Sequence, residues 1–405
     1  MLTVEEYLER VLALAEPLPA EECGIGEGFG RVLDEDLAAR FAVPPFDNSA
    51  MDGFAVRSAD TAGGQTRLRV VGDIPAGADS APTVGPGEAA RIMTGAPLPV
   101  GADAVVPVEE TDQPQGEAPL PEYVVVASAT AGKHVRRGGE DVSVGDVVLR
   151  RGEVWTPAAA AAAASIGHAR VRLRRRPKVA VLATGTELRP AGEPLGFGQI
   201  PDSNSLLLAG LVARFGGDLI LARAVPDDAD SFRAALADAA AADLIVTSGG
   251  VSVGAFEVVR QVVEGAIEFV KVAMQPGKPQ ACGALRRADG GAQALLALPG
   301  NPVSVFVSAW VYLRPLIAAY QGADARWAPV RVRAAEGWKT PPGRRQYIPV
   351  VLTDDGARPA HRLGSGSHLI ASLHLAEALV VVPADVEAVR PGDELDAFPV
   401  SAMLG

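Results

Sequence analysis

The stretch LIVTSGGVSVG, residues 244–254, is an apolar run that passes straight into a glycine turn set with serines. Two others are built the same way, VAVLATGTEL at 179–188 and ALLALPGNPVS at 294–304. Turns of this kind leave backbone N–H groups unpaired at strand ends and helix starts, and several facing one crevice make a seat for a phosphorylated ligand. A single glycine turn commonly does no more than satisfy backbone geometry. The set of three carries the reading.

Working outward, strand and helix patterns alternate. The pattern predicts strands at 179–182, 219–222 and 244–247 and helices at 204–215, 231–241 and 302–320, the first helix stopped by Gly216 and Gly217. Such alternation predicts a mostly parallel sheet covered on both faces, a three-layer α/β domain, with ligand beyond the carboxyl ends of the strands. All three glycine turns fall at such ends.

Upstream, Thr3 and Glu6 have capping-box spacing, and Leu8, Val11, Leu12 and Ala15 share a face, so a helix of about three turns opens the chain and ends before Pro17. A second helix starts with Thr156 as cap and Pro157 in the first turn, runs through 158–164 and stops at Gly167. Between them, residues 46–130 carry many glycines and prolines and short alternating runs such as RLRVV and EYVVVAS, which predicts an inserted β-rich domain. The domain around it is then discontinuous, 1–45 with 131–176, and helical. The α/β domain occupies 177–325. From 326 to 405 the runs VRVRA, YIPVVL and ALVVVP alternate with turns PPG, GSGS and RPGDEL, predicting a small terminal β-barrel or sandwich.

A length of 405 residues agrees with several domains at roughly 100–200 residues each. The net charge of −12 argues against nonspecific nucleic-acid or anionic-membrane binding, so an anionic substrate must be held locally. The cluster Arg170, Arg172, Arg174, Arg175, Arg176 and Lys178 reads as a strand with one solvated face leading into a linker rather than as a substrate funnel. Cys23 and Cys282 read as reduced small hydrophobes. The five histidines, His134, His168, His361, His368 and His374, show no metal-ligand spacing, so no built-in transition-metal site is expected. Any metal arrives with the substrate. No membrane span is expected, and acids in MLTVEEYLER where a secretory signal needs a basic start set the expectation of a cytoplasmic protein.

Together with Ile200-Pro-Asp-Ser-Asn204 and Gln275-Pro-Gly-Lys-Pro279, the three turns resemble the molybdopterin-binding domain of molybdenum-cofactor biosynthesis proteins. Pro45-Phe-Asp-Asn-Ser-Ala-Met-Asp-Gly-Phe-Ala55, Arg91-Ile-Met-Thr-Gly-Ala-Pro97 and Arg137-Gly-Gly-Glu-Asp141 narrow this, because they resemble the molybdopterin molybdenumtransferase family (MoeA, and the E domain of gephyrin). The resemblance runs essentially end to end. It implies the same four-part layout with a C-terminal β-barrel, and molybdate insertion into adenylylated molybdopterin with release of AMP in the presence of Mg²⁺. It implies a homodimer whose sites draw on both subunits, Asp52 and Thr94 crossing between them. A molybdopterin adenylyltransferase is a candidate partner. Two rival readings are adenylyl transfer itself, since 178–324 is shared with such enzymes, and a noncatalytic dimeric scaffold.

That chemistry needs carboxylates for a magnesium ion bridging to phosphate, cations and N–H or O–H donors for a tetrahedral oxyanion, and a pocket with few but well-placed polar groups. Glu187 and Asp227 follow strand ends and are the expected metal ligands; Asp52, Asp141, Lys271 and Lys278 complete the expected catalytic set. Asp227 and Asp228 precede a helix, so capping is the alternative for either. The expected substrate-binding residues are Thr94, Thr184, Gly185, Asp202, Ser203, Asn204, Ser248, Gly249, Gly250, Ser252, Gly254, Pro299, Gly300 and Asn301. Lys278, Pro279, Ser304, Arg344 and Ser367 form the expected molybdate pocket, with Arg345 as rival to Arg344 and His368 beside Ser367 as structural. Two positions depart from the family pattern: Gln275 stands where a lysine is common, and Glu257 where aspartate is usual.

Overall fold

The computed structural model describes residues 1–116, 118–251, 258–287, 290–323, 328–361 and 366–401. At its centre is a six-stranded sheet: β1 (Lys178–Thr184), β2 (Asp218–Val225), β3 (Leu244–Ser248), β4 (Ile267–Lys271), β5 (Pro279–Arg286) and β6 (Ala292–Leu298), in the order β2-β1-β3-β6-β5-β4. The first four in that order are parallel, β5 runs antiparallel to both its neighbours, and the edge strand β4 therefore shares the direction of the first four. Successive side chains of these strands are apolar in both directions, so both faces need cover. Val181, Val246 and Leu296 pack on one face with Leu208 and Val212 of helix Asn204–Arg214, and with Tyr312 and Leu316. Leu182, Ile245 and Leu295 pack on the other with Phe232, Ala235 and Val259.

The closing helix is continuous from Pro302 to Tyr320 but contains a π turn at Ala309–Leu313. Pro315 has no N–H to give the carbonyl four residues back, and the wider turn accommodates the missing bond. By length and composition this 19-residue helix, mean hydropathy 1.4, meets the requirement for a membrane span, contrary to the expectation that no such stretch exists. With 83% of that window buried inside the protein, it serves as a core helix.

The capping box at the N-terminus forms: Glu6 N donates to Thr3 Oγ1 at 3.1 Å, and Thr3 N to Glu6 Oε2 at 2.7 Å. Helix Val4–Leu12 is shorter than its sequence pattern. Its buried stripe Val4, Tyr7 and Val11 packs on the α/β core, Tyr7 meeting Tyr312 edge-on at 4.8 Å. Beyond it, strand Ala20–Gly24 pairs antiparallel with Arg170–Arg174, and Leu33, Trp155, Ala163 and Leu173 share one core. Segments from both sides of the insertion therefore fold together. The basic strand exposes Arg170 and Arg172 and partly buries Arg174; Arg170 pairs with Glu22, Arg174 with Asp34, and Arg175, just past the strand, with Asp243.

Residues of the insertion form a separate five-stranded sheet, Gly53–Val56 at its heart and Tyr123–Val126 at an edge. At the C-terminal end, strands Val330–Arg333, Arg345–Thr353, Gly356–Pro359, Ala378–Val382 and Glu394–Pro399 form a sheet that curls until Ala334 bridges Ala357. Met274–Gln275 adds in parallel to the start of Arg345–Thr353, so the C-terminal sheet is stitched to the α/β domain beside the Gln-Pro-Gly-Lys-Pro loop.

Candidate active site

Three chain turns meet at the carboxyl ends of β1, β3 and β6. Thr184 Oγ1 donates to Ser248 O at 3.3 Å, Gly249 N to Leu298 O at 3.1 Å, and Asn204 Nδ2 to Gly300 O at 2.7 Å. Gly249 has φ +93°, and a Cβ there would lie 2.7 Å from Thr184 O, so glycine is required by both backbone angle and space. Thr184, Gly185, Asn204, Ser248, Gly249, Gly250 and Gly300 are thus gathered as expected. Asn204 Oδ1, Thr247 Oγ1 and Ser248 Oγ are buried and have no hydrogen-bond partner among the described residues. Leaving such a group unpaired costs about 1–3 kcal/mol, which a polar ligand in the crevice would recover.

Asp202 accepts from Ser205 N at 3.0 Å at the start of helix Asn204–Arg214, and Ser203, at the cap position, makes no side-chain cap bond. Ser252, Gly254 and Glu257 lie outside the described residues. The last glycine turn continues into the C-terminal domain's reach: Asn301 Nδ2 donates to Ser367 Oγ and Val303 N to Ser367 O, both at 3.0 Å, beside the buried Ser304 and following Pro299.

The paired acids separate cleanly. Asp228 caps helix Ala229–Asp238, accepting from Ser231 N at 2.8 Å. Asp227 instead joins the β1 turn: Thr186 N donates to its Oδ2 at 3.2 Å and its own N–H donates to Thr186 Oγ1 at 3.1 Å. Thr186 was passed over in the sequence, although its place in TGTEL, between Gly185 and Glu187, was a signal. Glu187 folds back over Gly185, its oxygens 2.8 Å from where a Cβ would sit. Partial desolvation, then the negative charge of Glu187, push the Asp227 carboxyl above its ordinary range against the Thr186 hydrogen bond. Two neighbouring carboxylates suit a hard divalent cation that keeps waters and takes a phosphate oxygen. No group of three or more His, Cys, Asp or Glu able to hold a metal occurs among the described residues, so a closed all-protein metal cage is absent there.

Cations cluster on the other flank. Lys271 faces Pro279 across the β4–β5 pairing, and Val272 N donates to Lys278 O at 2.8 Å. Lys271, Lys278 and Pro279 line a cleft of about 660 Å³ together with Arg260 and Glu268. Gly277 lies against Ser308, one helical turn beyond Ser304, and buried Gln280 ties the two by donating to Gly277 O and Ser308 Oγ. Arg344 Nη1 donates to Gln275 Oε1 at 3.3 Å. Arg345 pairs with Glu5 on the N-terminal helix.

The motif residues of the insertion keep to themselves. Asp52 accepts from both Thr94 N and Thr94 Oγ1 at 2.7 Å, which holds its carboxyl below the ordinary range, and it borders a cleft of about 720 Å³ with Phe54, Arg91 and Met93. Asp141 N donates to Val43 O near the Asp47–Arg137 ion pair. Among the described residues no hydrogen bond or ion pair joins 46–130 to the three glycine turns. Asp52, Thr94 and Asp141 likewise make no hydrogen bond or ion pair to those turns among the described residues.

Comparison with known proteins places these sites in context. Residues 2–167 match the family described as "MoeA N-terminal region (domain I and II)", 180–319 "Probable molybdopterin binding domain", and 331–400 "MoeA C-terminal region (domain IV)". Molybdopterin molybdenumtransferase 2 of Mycobacterium tuberculosis is 39% identical over 415 residues, covering 99% of this chain and 100% of that protein. The molybdopterin molybdenumtransferase of Haemophilus influenzae is 35% identical over 420 residues, covering 100% of each. A crystal structure of the moeA protein of Pyrococcus horikoshii superposes with TM-score 0.83 at 28% identity, covering 99% of this chain and 100% of that one.

Proposed function

The chain belongs to the molybdopterin molybdenumtransferase family and inserts molybdenum during molybdenum-cofactor synthesis; from that premise we propose how its residues divide the work. The substrate is adenylylated molybdopterin, whose pterin and phosphates lie along the crevice of Thr184, Asn204, Ser248, Gly249 and Gly300. The observation carrying this reading is the pair Glu187 and Asp227 at the strand ends beside buried, unpartnered Asn204 Oδ1 and Ser248 Oγ. Glu187 and Asp227 would hold a Mg²⁺ ion, which would supply positive charge against the negative charge developing at the phosphoanhydride. Thr186 fixes Asp227 through reciprocal hydrogen bonds, so the carboxylate sits against the β1 turn rather than on the helix start. Lys278, Pro279, Ser304, Arg344 and Ser367 receive molybdate, a dianion suited to donors of both cationic and hydroxyl type. Lys271, beside Lys278, adds to the local positive field that a chain of net charge −12 otherwise lacks.

Asp52, Thr94 and Asp141 act on the crevice of a second copy, giving a homodimer with composite sites. That Asp52, Thr94 and Asp141 make no hydrogen bond or ion pair to the glycine turns within one chain, among the described residues, supports that arrangement. A molybdopterin adenylyltransferase is the partner that would hand over the substrate, and the reaction takes place in the cytoplasm. The decisive measurement is AMP release from adenylylated molybdopterin and Mg²⁺ with and without molybdate. Molybdate-dependent release is expected; ligand binding without release would overturn the reading in favour of a scaffold.

A further inference from the structure

The described arginines that form ion pairs meet carboxylates: Arg345 meets Glu5, Arg175 meets Asp243, Arg137 meets Asp47. Arg344 does not. Its guanidinium is half-buried, forms no ion pair among the described residues, and is held by a neutral acceptor, Gln275 Oε1 at 3.3 Å. The backbone makes this meeting obligatory, because Met274–Gln275 pairs in parallel with the strand that begins at Arg345, with Gln275 opposite Gln346. Gln275 also opens the loop whose Gly277 rests on Ser308, in the same helix face as Ser304. Arg344 is therefore held beside Gln275, at the start of the loop that carries Lys278 and Pro279, with no carboxylate paired to it among the described residues.

We propose that Gln275 is a positioning residue for the oxyanion: it aims the Arg344 guanidinium at the pocket through an uncharged hydrogen bond, leaving that charge for molybdate. This rests on the molybdate pocket proposed above. The chemistry follows from the acceptor. A carboxylate at 275 would pair with Arg344 as in its neighbours and cancel the charge; an alanine would leave the side chain unaimed; an amide aims it at no electrostatic cost. Hydrogen bonds to charged groups and their loss correspond to roughly tenfold effects.

The test uses the full-length protein, with molybdate binding by calorimetry alongside molybdate-dependent AMP release. Gln275→Glu is expected to weaken molybdate binding and raise its KM by roughly tenfold or more, with kcat at saturating molybdate and KM for adenylylated molybdopterin within about twofold. Gln275→Ala is expected to weaken molybdate binding by several fold in the parent but to have no further effect in an Arg344→Gln background, because the two act as one unit. Equal effects of Gln275→Ala in both backgrounds, or parent-like molybdate binding in Gln275→Glu, would overturn the assignment. Failure of the parent to release AMP while these binding differences persist would instead count against the enzymatic reading alone.

Discussion

Glu187 and Asp227 stand as like charges at the ends of neighbouring parallel strands, and Thr186, next to Glu187 in the chain, donates its N–H to the Asp227 carboxylate while its hydroxyl accepts from the Asp227 N–H. The protein thus holds together two groups that repel, an arrangement that is costly to an empty site and favourable to a cation.

Substituting Asp227→Asn separates folding from function. Because burial and Glu187 raise the Asp227 carboxyl above its ordinary 3.8, the folded chain binds that proton more tightly than the unfolded chain does. Its contribution to stability is present below the unfolded value and is lost as pH rises through the raised one. At neutral pH the variant is expected to melt no lower than the parent by calorimetry, while molybdate-dependent AMP release falls on the order of 10²-fold or more. A lower melting temperature with parent-like turnover would show that Asp227 is structural.

The two touching glycine turns respond differently to a methyl group. At Gly249 a Cβ meets Thr184 O at 2.7 Å with φ +93°, whereas at Gly300 its nearest neighbour is Gly249 Cα at 3.5 Å. Gly249→Ala is expected to cost about 1–3 kcal/mol in denaturant unfolding, and Gly300→Ala less than about 1 kcal/mol. Equal costs would mean the crevice does not have this backbone geometry.

Composite sites predict complementation between inactive chains. Asp52→Asn and Asp227→Asn, each inactive alone, are expected to regain roughly one quarter of parent activity when refolded as a mixture, since half the dimers are mixed and one site in each is intact. Light scattering should show a dimer throughout. A monomer, or no recovery, would place Asp52 outside the reaction.

Arg344 and Arg345 are adjacent in sequence but meet different partners, Gln275 and Glu5. Arg345→Gln loses the pair with Glu5, whose carboxyl is lowered by that arginine against the opposing effect of burial, so the pair's share of stability exists above the ordinary carboxylate range and fades as pH falls. A cost of no more than about 1 kcal/mol at neutral pH, vanishing in acid, is expected with unchanged molybdate KM. Arg344→Gln is expected to raise that KM roughly tenfold with little effect on melting.

What the sequence determined by itself was the local alphabet of the fold: the capping box at Thr3 and Glu6, the Thr156-Pro157 helix start, the apolar strands and the glycine turns at their ends. These are legible because period, capping and positive-φ glycine are properties of a few consecutive residues. The tertiary structure decided between neighbours that look alike in one dimension. Asp227 and Asp228 share a propensity, yet only the exit direction of β2 sends one to Thr186 and the other to a helix cap. Arg344 and Arg345 part because parallel pairing with Met274–Gln275 alternates their sides. Ser248 lost its partners only when β3 was enclosed between β1 and β6, since burial without a partner arises from what surrounds a residue and not from the residue itself.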